Sequence, residues 1–339
     1  MFSTIKLTVP LAAIACLTGL TVGALAQRTV PTPPRPEVRG IPAAPPAVGV
    51  LTDSELKLAV DPNVNIKFCV ADGDLRINGW DRDEVRVFVR SGRKFSFRVL
   101  EKDKSTAKPN WVWIAPDMTE GRMPAAHASE CLTGESIEMD VPLGTTVNMS
   151  GRLADTEIDS VRKVTVKVVE GNVALRNING GIAAFAFQGD LMVDNSAGAI
   201  TIESTTGNVL ANDVQPGQIG DVFRVKTNSG SIALQNVEHR QIEAHSITGS
   251  VFFDGKFLQG GIYGFKTSNG SITLKIPESS SLMLKAWYGF GSFNSAVPLE
   301  YLTENITSAG KNIVAQGGSG GANVTLTTSS GRIRIEKQP

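Results

Sequence analysis

The sequence predicts an all-β protein, a β-solenoid built from short strands with coils of about 20 residues. Three observations carry that prediction. A pentad Gly-x-apolar-x-apolar recurs at Gly171, Gly180, Gly189, Gly198, Gly207, Gly230, Gly249, Gly270 and Gly331. Inside each pentad the apolar residues alternate, so Val173 and Leu175 point to one side and Ala174 to the other, as in a half-buried strand. No stretch of residues 160–339 sustains the i, i+3, i+4, i+7 apolar spacing of a helix.

Spacing turns the pentads into coils. The first five glycines are nine residues apart, and the steps from Gly171 to Gly270 along one corner are 18, 18, 23, 19 and 21 residues. One such coil cannot cover its own apolar side, but stacked coils bury it continuously, with rungs about 4.8 Å apart. From position 165 this gives about eight or nine turns and a stack of about 40 Å. The competing architecture, a sandwich or meander of short strands, does not require regular steps of nine and eighteen. Each pentad glycine is expected at a tight corner, where φ > 0 costs a residue with a Cβ about 1 kcal/mol or more. Three positions ahead there is often a small hydrogen-bonding residue, as at Asn195, Ser204, Thr227, Ser246, Thr267 and Thr328. These side chains are expected to cap their own turns.

The chain divides into four segments: residues 1–26, 27–49, 50–160 and 161–339. In the first, Lys6 precedes an apolar run over residues 7–26 that ends in Ala24-Leu25-Ala26, the small-x-small pattern of a signal peptidase site. Pro10 and Gly19 interrupt that run and a polar segment follows, which fits a cleaved signal rather than a retained membrane anchor, with Gln27 as the mature N-terminus. Lipidation at Cys16 is the competing reading, but Leu17, Leu20 and Val22 continue the apolar run past it. Residues 28–48 carry seven prolines, an extended spacer that reads equally as a stalk or a tail. Residues 50–160 read as an N-terminal β region and cap with a non-repetitive insertion, and 161–339 as the repetitive solenoid.

Charge excludes several function classes. The whole chain balances 33 Lys and Arg against 33 Asp and Glu, and the part from residue 50 onward keeps 29 basic and 32 acidic residues. Such a body lacks the cationic excess of a nucleic-acid binder. No second long apolar run marks a membrane span in the mature chain. With Cys16 removed, Cys69 and Cys131 remain, 62 residues apart. In an oxidising compartment a disulfide is the simplest reading, and a ring of that size would contribute about 4 kcal/mol. Two buried free thiols are the alternative.

Three stretches carry a family resemblance. Gly73-Asp-Leu-Arg-Ile77 leads into residues 78–87, Thr-x-x-Gly-x-Ile units repeat, and a closing run extends from Gly317 to Gly321 and through Thr328, Gly331 and Ile335. Over most of residues 64–337 the chain resembles the bacterial "putative adhesin" domain family of unknown function. The resemblance implies an extracytoplasmic repetitive β-solenoid, and the family name implies adhesion. The chain departs from the pattern between about Phe95 and Cys131, where Trp111, Trp113, Pro116, Pro124 and His127 stand in a non-repetitive insertion. Function peculiar to this chain is expected there.

No catalytic residue, cofactor or metal site is expected. Asp81, Asp83 and Glu84 accompany Arg82 and Arg86 and read as a solvated turn. Outward pentad positions show no column of carboxylates repeating from coil to coil. His239 and His245, with Glu238 and Glu243, are too few and too widely spaced to complete a zinc site. The nine-residue register lacks the repeated Asp of calcium-binding solenoids, and nucleophile elbow, P-loop and dinucleotide motifs are missing. The remaining candidates are aromatic. Trp111 and Trp113 share one face of a strand and, with Trp80, are expected either to cap the open end of the solenoid or to stack on sugar rings. Phe252, Tyr263 and Tyr288 are expected to form a second exposed patch.

The reading that follows is an exported, non-catalytic, adhesin-like interaction or scaffold module at the bacterial cell envelope. Its partner would be an envelope protein or a glycan. A β-helical carbohydrate-binding protein or polysaccharide-active enzyme is the alternative.

Overall fold

Each pentad is a strand and each pentad glycine a corner. The computed structural model describes residues 51–99, 108–117 and 131–339, and every regular element among them is a β-strand. The expected leader, the Pro-rich spacer, Cys16, Pro124 and His127 lie outside these residues.

The N-terminal strands are β1 (Thr52–Ala59), β2 (Asn65–Trp80), β3 (Glu84–Gly92), β4 (Phe95–Val99), β5 (Trp111–Pro116) and β6 (Leu132–Pro142). Pairs of shorter strands then make the coils: β7 (Thr146–Leu153) with β8 (Thr156–Asp159), β9 (Lys163–Glu170) with β10 (Val173–Arg176), and β11 (Ile182–Gln188) with β12 (Leu191–Ala197). They continue as β13 (Ile200–Thr206) with β14 (Val209–Gln215), β15 (Val222–Ser229) with β16 (Ile232–Val237), β17 (Gln241–Thr248) with β18 (Val251–Asp254), and β19 (Ile262–Asn269) with β20 (Ile272–Ile276). The chain closes with β21 (Leu282–Ser295), β22 (Glu300–Thr307), β23 (Gly310–Gly317) and β24 (Ala322–Lys337).

Odd-numbered strands from β7 to β19 stack in parallel to form a first face, and even-numbered strands from β8 to β20 form a second. The register follows the repeat: Ile182 pairs with Val164 on one side and Ile200 on the other, each 18 residues away. Five extra residues in the 23-residue step are taken up by the loop at 216–221, between β14 and β15, so the strands on either side keep their register.

Two strands of 16 residues each, β2 and β24, run through both faces and turn at Gly73 and Gly331. Neither stacks in chain order. The first half of β2 lies between β5 and β7, and its second half between β6 and β8, so the parallel stack already includes residues well upstream of 161. At the other end β24 inserts between the β19–β20 coil and β21. Counted from Lys163, eight coils stack: the six from β9–β10 to β19–β20, then β24, then β21. Antiparallel strands flank them, with β3 and β1 beyond β6, β4 beyond β5, and β23 and β22 beyond β21.

The core is the space between the faces. Val164, Val166 and Val168 of β9 meet Val173 and Leu175 of β10 there, all essentially free of solvent contact. Burial of each such side chain contributes about 1.5–3 kcal/mol. The column repeats on every coil, ending in Val324, Leu326, Ile333 and Ile335 of β24.

The corner between the faces shows why glycine recurs. At Gly230, φ is +152° and a Cβ would stand 2.0 Å from the carbonyl oxygen of Gly207; Gly189, Gly207 and Gly249 meet the preceding corner at the same 2.0 Å. The hydroxyls three residues ahead do not cap their own turns. Ser246 donates to Gly230 O at 2.9 Å, Thr267 to Gly249 O at 2.8 Å and Thr328 to Gly270 O at 2.9 Å, each reaching the corner of the neighbouring coil. Asn195 belongs to the opposite corner, where it is left-handed and its amide donates to Asn177 Oδ1 at 2.6 Å.

A further ladder follows the glycines directly. The Asp155 carboxylate accepts from the Asn172 amide at 2.7 Å, Asn172 Oδ1 from the Asp190 amide at 3.0 Å, and Asp190 from the Asn208 amide at 2.7 Å. Asn208 accepts likewise from Ser231 N. Each coil thus holds the next by a side chain as well as by its strands.

Candidate functional site

Side chains that alternate with the core columns point outward, and on a solenoid they line up along the stack. On β5, Val112 and Ile114 face inward and are fully buried, which turns Trp111 and Trp113 outward on the first face, 38% and 42% exposed. Trp111 lies beside Asn65 of β2 and Trp113 beside Lys67, whose ammonium stands 5.6 Å from the ring centroid. Arg98 of β4 flanks Trp113 on the other side. The two indoles therefore do not cap the core. That part of the core is covered by Phe95, which is buried, and Phe97, whose rings meet edge-on at 6.2 Å.

Trp80 is not brought to them. It ends β2 on the second face, around the Gly73 corner, where its indole N–H donates to Glu84 O at 2.8 Å and the Arg82 guanidinium lies 4.8 Å from the ring. Cys69 and Cys131 are joined in a disulfide, with sulfurs 2.16 Å apart, that ties the middle of β2 to the residue ahead of β6. The expected patch of Phe252, Tyr263 and Tyr288 does not form. Tyr263 and Tyr288 are buried, because their strands extend the inward alternation one residue pair upstream of Phe265 and downstream of Ala286, and the Tyr263 hydroxyl accepts from Leu258 N at 2.8 Å.

The second face carries a shallow groove of about 460 Å³ lined by Asp74, Arg76, Glu138, Glu157, Asn172 and Arg176. Its two arginines share one of its acids. Glu157 Oε2 accepts from Arg76 at 3.3 Å while Oε1 accepts from Arg176. Next to it runs a column the pentads alone did not disclose: Asp159, Arg176, Asp194, Asn212, Gln235, Asp254, Lys275 and Glu336 occupy successive rungs. Four of the eight are acidic, which amends the expectation of no carboxylate column. The cations interleave with them, Lys275 pairing with Asp254 at 3.0 Å.

The polar clusters noted in the sequence resolve into structural roles. Asp83 pairs with Lys108 at 2.6 Å, and Arg86 bridges Glu55 at 2.8 Å and Asp140 at 2.6 Å. The Arg86 hydrogen bond holds the Glu55 carboxyl below its ordinary range. His239 is fully buried, with Nε2 2.8 Å from Gly198 O, whereas His245 faces outward from β17. The two do not converge, and among the described residues no group of three or more His, Cys, Asp or Glu could hold a metal ion.

One outward column went unread in the sequence. Lys226, His245 and Lys266 occupy successive rungs of the first face on β15, β17 and β19. Each immediately precedes the Ser or Thr of the corner ladder, at Thr227, Ser246 and Thr267, and that offset was the available signal.

No curated protein matches the sequence. Among solved structures, a "putative lipid binding protein" of Parabacteroides distasonis is similar at 12% identity, over 85% of this chain and 97% of that one, with a TM-score of 0.37. A "putative adhesin" of Bacteroides fragilis is similar at 12% identity over the same shares, with a TM-score of 0.33. A "putative cell adhesion protein" of Clostridium sporogenes is similar at 13% identity over 85% of this chain and 100% of that one, with a TM-score of 0.24. The Toastrack DUF4097 family model matches residues 54–336, from within β1 to within β24, and the chain belongs to that family.

Proposed function

We propose that this chain is an exported, non-catalytic, adhesin-like interaction module of the bacterial cell envelope that binds its partner through the outward side of the first face. The observation that carries the reading is the Trp111–Trp113 pair. Two indoles held half-exposed on a rigid strand, beside the Lys67 ammonium, offer planar apolar area and N–H donors with little conformational entropy left to lose. The leader over residues 1–26 and the Pro-rich spacer support export, and the Cys69–Cys131 disulfide suits an oxidising compartment. No helix among the described residues is long and apolar enough to cross a membrane.

The non-catalytic part of the reading rests on the second-face groove. Both oxygens of Glu157 are engaged by arginines, so that carboxylate is not offered to a substrate as acid or base, and Asp74 and Glu138 are the groove acids that the polysaccharide assay addresses.

A crosslinking pull-down from intact cells with the mature protein, beside a Trp111→Ala/Trp113→Ala variant of unchanged melting temperature, tests the site. The wild type is expected to retain an envelope protein or glycan that the variant loses; equal capture by both contradicts the proposal. Incubation with uronate-containing and neutral polysaccharides tests the second part, and new reducing ends or unsaturated products would contradict it.

A further inference from the structure

The column of Lys226, His245 and Lys266 has a single acid on an adjoining rung, Glu203 beside Lys226. Lys226 has only Glu203, at the limit of 4.0 Å, and the adjacent Glu243 is already taken by Arg224 at 2.9 Å and by Gln241 at 2.9 Å. Three potential cations therefore stand on neighbouring rungs about 4.8 Å apart, on a body that carries more acidic than basic residues. Beside them Gly264 leaves the outward column without a side chain. The result is a depression of about 280 Å³ lined by Lys226, His245, Lys266, Thr325 and Thr327 among others.

The same column continues onto the inserted strand and past it. Thr327 of β24 follows Lys266, and Trp287 of β21, partly exposed, follows Thr327. Cations, hydroxyls and an aromatic ring thus succeed one another along the stacking axis. Lysines act as point charges that tolerate shifts of an acidic group, hydroxyls match sugar hydroxyls, and an indole face stacks on a pyranose.

From this alignment we infer a binding site for a linear anionic polysaccharide, with its acidic groups on Lys226, His245 and Lys266, and a sugar ring on Trp287. The inference rests on the reading of the chain as a binding module and names a second ligand-bearing strip on the same face, remote in the stack from Trp111 and Trp113. The strip carries its own proton linkage. His245 is held below its ordinary pKa of 6.5, by burial first and then by Lys266 and Lys226. Arg224 of β15 and Glu243 of β17 are the other charged groups on the neighbouring rungs, and they neutralise each other. A bound acidic group offsets the two ammonium charges and raises the His245 pKa, so binding takes up a proton and strengthens as pH falls.

The test is titration of the full mature protein with polygalacturonate, with neutral dextran and anionic phosphatidylglycerol vesicles as separate arms. The expected result is binding to polygalacturonate that weakens with added salt and with rising pH, and no binding to dextran. Lys226→Gln/Lys266→Gln should lose about tenfold in affinity. Trp287→Ala should lose affinity while keeping the salt dependence, and Trp111→Ala/Trp113→Ala should bind as wild type. The His245 imidazole signals should shift to a higher pKa on saturation. Affinity unchanged in the folded lysine variant, no response of His245, or binding to vesicles alone would overturn the inference. Failure of polygalacturonate binding while the mature protein still captures its envelope partner through Trp111 and Trp113 would show that the module reading stands while this site falls.

Discussion

The hydroxyl of Thr227 donates to the carbonyl oxygen of Gly207, 3.0 Å away and one coil earlier. The bond couples two features that the sequence shows separately, the corner glycine and the Ser or Thr three residues ahead of the next one. It supplies a donor to a carbonyl at a corner that no Cβ could approach. Replacing Thr227 with Val keeps the shape and removes the donor, with an expected loss of about 1 kcal/mol in urea unfolding. Thr227→Ser should retain most of it.

The glycines themselves divide into two kinds. Gly230→Ala drives a Cβ to 2.0 Å from Gly207 O at φ +152°, and since the atoms it meets are backbone, the coils must separate. A loss of about 3 kcal/mol or more is expected. Gly220 also has positive φ, +97°, but nothing lies within 4 Å of its missing Cβ, so Gly220→Ala should cost only local strain of about 1–2 kcal/mol. Chemical denaturation of the two variants side by side checks the contrast.

The disulfide closes a separation of 62 residues between β2 and β6. Cys69→Ser/Cys131→Ser should lower stability by about 4 kcal/mol, and reduction of the wild type should lower the melting temperature to that of the variant. Calorimetry with and without reductant measures both.

Acid should weaken the fold through His239. Burial beside Phe223 lowers its pKa from 6.5, against smaller opposing effects of Gly198 O and the Asp221 carboxylate. In the unfolded chain the imidazole takes up a proton below about pH 6.5, while in the folded protein it stays neutral to lower pH. The unfolded state then binds more protons, so this contribution to stability is complete above about pH 6.5 and is lost as pH falls below it. His245, shifted in the same direction, adds to the slope. Stability measured from about pH 7 to about pH 5 should fall, and His239→Gln should flatten the decline.

Much of this architecture is legible in the residues. The pentads at Gly171, Gly189 and Gly207 specify strand, corner and coil length because each is a local constraint repeated at a fixed step. Stacking order is a different matter. Nothing in residues 322–337 states that they, and not β21, take the place beside β19 and β20, since either parallel strand of alternating apolar residues fits that edge. Tyr263 was misread for a related reason: its inward position is set by register with Ile242 of β17 rather than by its own pentad. Of the candidate aromatics, the shared face of Trp111 and Trp113 follows from alternation alone, whereas the separation of Trp80 depends on the turn of β2 at Gly73. The cations at 226, 245 and 266 were visible as a repeat but acquire meaning only when stacking makes them neighbours.

Distance between spin labels on the outward column of the first face tests the stacking most directly. Thr165 and Thr325 are joined through Ala183, Thr201, Arg224, Glu243 and Gly264, six rungs in all, and Lys285 lies one rung further. Pulsed electron paramagnetic resonance should find Thr165→Cys and Thr325→Cys labels about 29 Å apart, and Thr165→Cys and Lys285→Cys labels about 34 Å apart. The reverse order, with residue 285 nearer than residue 325, or distances unrelated to rung count, would contradict the insertion of β24 and the aligned binding face built on it.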